Sequence, residues 1–204
     1  ARTVLTAADR QEVSFDAFFT HILMHELMHG LGPSTITVDG RETTVRQELR
    51  ETYSVIEEAK ADISGLWALH QLIDRGEVEA SLARSMYSTF LASTFRSIRF
   101  GINEAHGRGV AIQLNTFLDT GAVTVDADGQ FAIDHTKIRG AVTGLTTELM
   151  TIQARGDIRE AESLLKTRGV IRPEVQRVLD RLSGVPIDIE PRYITAEQLA
   201  RDTR

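Results

Sequence analysis

The sequence predicts a mainly α-helical fold with small β-hairpins. Apolar residues recur at three- and four-residue intervals through most of the 204 residues, which is the period of a helix buried on one face. Two stretches alternate instead, and each turns about an Asp-Gly pair, Asp39-Gly40 and Asp128-Gly129, as a hairpin does. Glycine or proline punctuates the helical stretches at Gly101, Gly156, Gly169 and Pro173.

The first strong helix starts after Ser14, a good N-cap, and is stopped by Gly30-Leu31-Gly32-Pro33. Its last turns carry His25-Glu26-Leu27-Met28-His29. At 3.6 residues per turn, His25, Glu26 and His29 fall within an arc of roughly 100°. Two neutral imidazoles on one face suit Zn2+, and the carboxylate beside them can take a proton from the water that such an ion activates. Phe15, Phe18, Phe19, Ile22, Leu23, Met24, Leu27 and Met28 surround the motif and predict burial on most sides, so its polar groups need partners. His21 lies one further turn back, about 6 Å up the axis, too far to share one ion with both histidines. A packing or hydrogen-bonding role suits it better.

Thr35 to Val45 follows as a hairpin that could form the rim of a cleft. Arg46 to Arg75 reads as one long helix with Leu49, Tyr53, Ile56, Ile63, Trp67 and Ile73 as its apolar stripe. A second face sets Glu58 and Asp62 among Gly65, Leu69 and Leu72, and carboxylates among small or apolar residues imply a metal or a hydrogen-bonding partner. A catalytic zinc has three protein ligands and an open position, and Glu57-Glu58-Ala59-Lys60-Ala61-Asp62 is the best source of the third. Spacing leaves Glu57, Glu58 and Asp62 all eligible, with one acid ligating and another accepting the ring N–H of a ligating histidine. The competing reading is an ordinary solvated face of helix ion pairs involving Lys60.

Glu77 to Arg99 reads as the next helix, with Leu82, Met86, Phe90 and Phe95 in the core, and Arg108 to Thr120 as another. His106 begins a glycine-flanked turn between them. Val123 to Ile133 forms the second hairpin, a better reading than a calcium loop for Asp126 and Asp128 because the other ligand positions are unfilled. Thr136 to Ser183 is helical again and Gly184 to Pro191 extended. His70 belongs with the Trp67 stripe as a satisfied core or interface histidine, and His135 has no evident partner. Residues 1–123 are expected to form a zinc-binding helical core, and 124–204 a mostly helical extension packed on it within the same domain.

The pairing of HELMH with Tyr53-Ser54-Val55-Ile56-Glu57-Glu58-Ala59-Lys60-Ala61-Asp62 resembles the dipeptidyl peptidase III family of zinc exopeptidases. The resemblance implies a helical, gluzincin-like metallopeptidase catalytic domain with one Zn2+ per chain, held by His25, His29 and Glu58. It makes Glu57 and Asp62 the residues that orient the ligands. Glu104-Ala105-His106-Gly107-Arg108 is similar to a segment whose histidine contacts substrate or stabilises the transition state, which implies that role for His106 beside Glu26 as the catalytic base. These motifs carry the resemblance as far as about Val123. Better-known members have one extra residue between the glutamate and the second histidine; the five-residue spacing here is the bacterial-type variant and needs no helix bulge. Members are large two-lobed enzymes, so the resemblance implies a C-terminal portion of a longer polypeptide. Its partners would be a missing N-terminal lobe and short peptide substrates, from which dipeptides are released. A non-catalytic, zinc-stabilised module that binds a peptide or partner domain is the alternative, and it would not need Glu26.

A net charge of −6 without basic clusters argues against nucleic acid. No apolar run approaches the roughly 20 residues that span a bilayer, and the first residues do not resemble a signal peptide, which favours a cytoplasmic location. The absence of cysteine excludes disulfides and thiolate zinc sites, leaving histidine and carboxylate ligands.

Overall fold

The computed structural model describes residues 1–186, 193–195 and 198. The segment expected to be extended, 184–191, lies outside the described residues from position 187 onward. The elements run α1 (Ala7–Gln11), α2 (Phe15–His29), β1 (Thr35–Val38), β2 (Arg41–Thr44), α3 (Val45–Leu49), a 3-10 turn (Arg50–Thr52), α4 (Tyr53–Asp74), α5 (Leu82–Ile98), α6 (Ala105–Asp119), β3 (Val123–Val125), β4 (Phe131–Ile133), α7 (Ile138–Arg155), α8 (Ile158–Thr167) and α9 (Pro173–Arg181). The mainly helical fold with two small antiparallel hairpins is the one the periodicity predicts.

The fold is built around α4, which packs against α2, α6 and α7. Its buried residues Ile56, Ala59, Ala61, Ile63, Leu66 and Leu69 are fully enclosed. Small residues let the neighbours approach closely. A Cβ added at Gly65 would lie 3.3 Å from the backbone nitrogen of His25, and one at Gly109 of α6 3.1 Å from that of Ala59. A single hydrophobic cluster runs from Val4 to Leu182. The first residues join it through the second hairpin, where the Phe131 amide donates to the Val4 carbonyl at 2.8 Å.

Both hairpins form as expected, β1 pairing with β2 and β3 with β4. At the first turn Asp39 and Gly40 both have positive φ, 50° and 75°, which suits the Asp-Gly sequence. In the second, the Asp126 carboxylate accepts from the amides of Asp128 and Gln130, so its oxygens serve the turn.

The helix expected from Arg46 to Arg75 is two helices. Thr44 and Gln47 form a reciprocal capping box that starts α3. Arg50 then takes φ 50° and ψ −124°, and the Thr52 hydroxyl donates to the Leu49 carbonyl at 2.7 Å, so a side chain takes the carbonyl that a continuing helix would have used. Trp67 is the second departure, 38% exposed at the edge of the stripe where burial was expected. The helix expected from Glu77 starts at Leu82, after the positive-φ turn at Gly76, and α6 starts at Ala105, three residues before Arg108.

Candidate metal centre

Helix α2 begins where Ser14 accepts a hydrogen bond from the Ala17 amide and ends at His29, followed by Gly30. Its inner face carries Ala17, His21, Met24, His25 and Met28 onto α4 and α5. Its outer face departs from the expected burial: Phe15 is 76% exposed and Phe19 60%, and Ile22, Leu23 and Leu27 are exposed as well. The helix lies at the surface of this chain; His21 and His25 are buried against α4, and His29, exposed at the helix end, still reaches a carboxylate of α4.

Those carboxylates fix both rings. His25 Nδ1 lies 2.7 Å from Asp62 Oδ1, and His29 Nδ1 lies 2.9 Å from Glu57 Oε1. An ionised carboxylate only accepts, so each Nδ1 carries the proton and each Nε2 turns a lone pair the other way. The two Nε2 atoms meet 3.0 Å apart, and Glu58 Oε2 completes the triangle at 3.3 Å from His25 Nε2 and 3.6 Å from His29 Nε2. Bonds of about 2.0–2.1 Å to a tetrahedral zinc place ligand atoms about 3.3 Å apart, so the triangle has the size the ion needs. Glu58 Oε2 is buried and accepts no hydrogen bond, even with His106 Nε2 3.0 Å away. A buried carboxylate oxygen with no donor facing two imidazole lone pairs is a donor set suited to a cation. His25, His29 and Glu58 are the group that could hold a metal among the described residues.

The electrostatics agree. Burial disfavours a charged His25, but its hydrogen bond to Asp62 and the nearby Glu58 carboxylate outweigh it and push its pKa up to about 10. Burial likewise works against the charged form of Asp62, and the hydrogen bond from His25 with the His21 ring nearby holds its carboxyl below the usual range. Glu58 is lowered too, the adjacent imidazoles overcoming its burial.

The remaining residues fall around this centre. Glu26 is exposed on α2, between the two histidines in sequence. His106 sits in the first turn of α6 and not in a free turn; its side chain is 66% exposed and its ring lies parallel to that of His25, centroids 6.1 Å apart. A Cβ on Gly107 would come 2.2 Å from the Gly101 carbonyl oxygen, so glycine lets the preceding loop close over this end of α6. A cleft of about 400 Å3 opens beside His106, lined also by Arg96, Ser97, Phe100 and Glu104. His21 is buried against the edge of Phe90 with Nε2 3.1 Å from the Asp62 carbonyl, and burial lowers its pKa. His70 meets the Tyr87 hydroxyl at 2.8 Å, and His135 lies 3.9 Å from Asp9, a partner the sequence did not suggest.

Three residues were not legible as parts of the centre. Lys60 is 2% exposed, not solvated, and pairs with Glu57 Oε1 at 2.8 Å. Gln153 of α7 donates to Glu57 Oε2 at 2.7 Å, and Gln113 of α6 reaches Asp62 Oδ2 at 3.4 Å. Lys60 stands inside the acidic motif, which is a signal of sorts; the glutamines have none, since only the packing of α6 and α7 on α4 brings them near.

No family model matches the chain. It is 47% identical over 202 residues to Nudix hydrolase 3 of Arabidopsis thaliana, covering 98% of this chain and 26% of that protein. That name denotes another kind of hydrolase, and most of the protein that bears it lies beyond the match. Among solved structures, dipeptidyl-peptidase III from Corallococcus sp. strain EGB superposes with a TM-score of 0.93 at 63% identity over 99% of this chain. DPP III from Caldithrix abyssi gives a TM-score of 0.93 at 42% identity over 97%. The chain spans 38% of the length of each. The likeness thus runs well past Val123, where the motifs end. With 63% identity sustained along nearly its whole length, and with HELMH and EEAKAD brought together on crossing helices, the chain is closely similar to a part of dipeptidyl peptidase III.

Proposed function

We propose that this chain carries the metal centre of a zinc-dependent peptidase that, in a longer polypeptide, releases dipeptides from the N-termini of short peptides. His25, His29 and Glu58 would hold one Zn2+, with Asp62 and Glu57 orienting the two rings. The observation that carries the reading is the convergence of His25 Nε2, His29 Nε2 and the unpartnered Glu58 Oε2 in one triangle. Likeness in sequence and structure supports it, since both solved structures described above are dipeptidyl peptidases.

A zinc ion bound there supplies Lewis acidity, polarising a carbonyl and lowering the pKa of water. The rest of the chemistry falls to side chains. Glu26, exposed beside the ligands, accepts a proton from the attacking water on a carboxylate oxygen and returns it to the leaving amine nitrogen. His106 Nε2 faces the same centre and donates a hydrogen bond to the carbonyl oxygen as negative charge develops on it. The cleft beside His106 gives an extended peptide a place to lie.

Measuring zinc per chain and hydrolysis of short peptides, in the wild type and in Glu26→Ala, tests the reading. One zinc per chain, retained in the variant while hydrolysis is lost, is expected. Peptide affinity with zinc retained and no step sensitive to Glu26 would favour a zinc-stabilised binding module, and absence of stoichiometric zinc would defeat both.

A further inference from the structure

Lys60 is among the most buried side chains of the protein, and it ends in a polar nitrogen that needs partners. An ammonium out of water needs all three of its protons accepted. Lys60 Nζ donates to the Met28 carbonyl at 2.7 Å, to the Leu31 carbonyl at 3.0 Å and to Glu57 Oε1 at 2.8 Å. The first two are backbone groups at the C-terminal end of α2, one residue before and two after His29. The third is the carboxylate oxygen that also takes the His29 Nδ1 proton at 2.9 Å. Glu57 is held on its other side as well: Oε2 accepts from Gln153 Nε2, a fully buried group of α7.

We propose that Lys60 and Gln153 are positioning residues of the metal centre, acting through Glu57 on His29. Between them they leave the Glu57 carboxylate one orientation, the one that keeps the proton on His29 Nδ1 and aims the Nε2 lone pair at Glu58 and His25. His29 needs this because it is the last residue of α2, exposed and beyond the packing that holds His25. The inference rests on the reading of His29 as a zinc ligand.

The alternative is a purely structural lysine that caps α2, and the two differ in what the centre reports. The test is zinc affinity by chelator competition, together with the visible absorption of the cobalt-loaded chain, for Lys60→Met, Glu57→Gln and the double variant. Outer-sphere partners of metal-bound histidines typically contribute about 10–100-fold in affinity. Lys60→Met is expected to lose affinity in that range and to shift the cobalt spectrum, while adding it to Glu57→Gln costs little more, because the path through Glu57 is already cut. Gln153→Leu, expected to lose affinity in the same way and to be equally silent in the Glu57→Gln background, carries the cycle if Lys60→Met does not fold. A Lys60→Met protein with lower thermal stability but wild-type affinity and spectrum would overturn the inference, as would equal losses in both backgrounds. A wild-type chain that takes up neither ion would instead overturn the proposed function, and this inference with it.

Discussion

His25 and His29 stand one helical turn apart and turn the same atom toward the same point, yet opposite kinds of structure hold them. His25 is buried, wedged where α2 crosses α4 at Gly65, and its carboxylate, Asp62, is buried with no lysine or arginine paired to it among the described residues. His29 is exposed at a helix end, and its carboxylate, Glu57, is pinned by a buried lysine and a glutamine from a third helix. One imidazole is placed by packing and the other by a polar network. A helix can present two ligands at i and i+4 from its own geometry, but where the second falls at the terminus the rest of the protein must supply the rigidity.

The largest expected effect separates the two sides by stability. His25→Ala leaves Asp62 buried without its main partner and should cost about 3–5 kcal/mol in urea denaturation, as breaking a buried pair does. His29→Ala leaves Glu57 paired to Lys60 and Gln153 and should cost less than about 1 kcal/mol, as exposed changes do. Equal losses would dissolve the distinction.

Zinc should stabilise the chain by about 4 kcal/mol when present at a thousandfold excess over its dissociation constant, and chelation should remove that. The effect depends on pH with a definite sign. The pKa of His25 is raised from 6.5 to about 10 in the metal-free fold, so its protonation stabilises that fold fully below pH 6.5 and the contribution is lost as pH rises through about 10. The loaded protein has no such proton to lose. The gap in Tm between loaded and metal-free protein should therefore widen from pH 6.5 to pH 10, and a gap that narrows would show that His25 is not where proton and metal compete.

Gly65→Ala sharpens the packing side. The new methyl group would sit 3.3 Å from the His25 nitrogen, so α2 must move off α4 at a cost of about 1–3 kcal/mol. Zinc affinity should fall with it, whereas unchanged affinity would mean that the crossing does not set the ligand. The smallest effect belongs to the outer face of α2, where Phe19→Gln should change the stability of this chain by no more than about 0.5 kcal/mol in thermal melts. A larger loss would mean that the exposed face is packed in solution.

Much of this was legible in the residues. Asp39-Gly40 and Asp128-Gly129 announced both hairpins, the first because few sequences fit its two-residue turn and the second because Gly129 supplies the positive φ of a longer loop. Ser14 and Gly30 bracketed α2 because caps are local. His25 and His29 were legible as a pair because helical spacing sets them on one face, whereas spacing left Glu57, Glu58 and Asp62 all eligible as the third group and only the resemblance pointed to Glu58, the acid that meets both rings in the structure. Other features were settled by partners distant in sequence. The break at Arg50 depends on a hydroxyl competing for a carbonyl, and apolar periodicity does not register it. The exposure of Phe15, Phe19 and Leu23 depends on what covers α2, and composition reports only that these residues are apolar. Lys60 reads as a surface charge until the carbonyls of Met28 and Leu31 are found around it, and Gln153 is 96 positions from the glutamate it holds.

Everything proposed for this chain depends on one zinc bound among His25, His29 and Glu58. Anomalous diffraction at the zinc edge from crystals of the zinc-loaded chain tests it most directly. A single peak of full occupancy is expected within about 2.0–2.2 Å of His25 Nε2, His29 Nε2 and a Glu58 carboxylate oxygen. A peak elsewhere, or none at the triangle with zinc in excess, would contradict it.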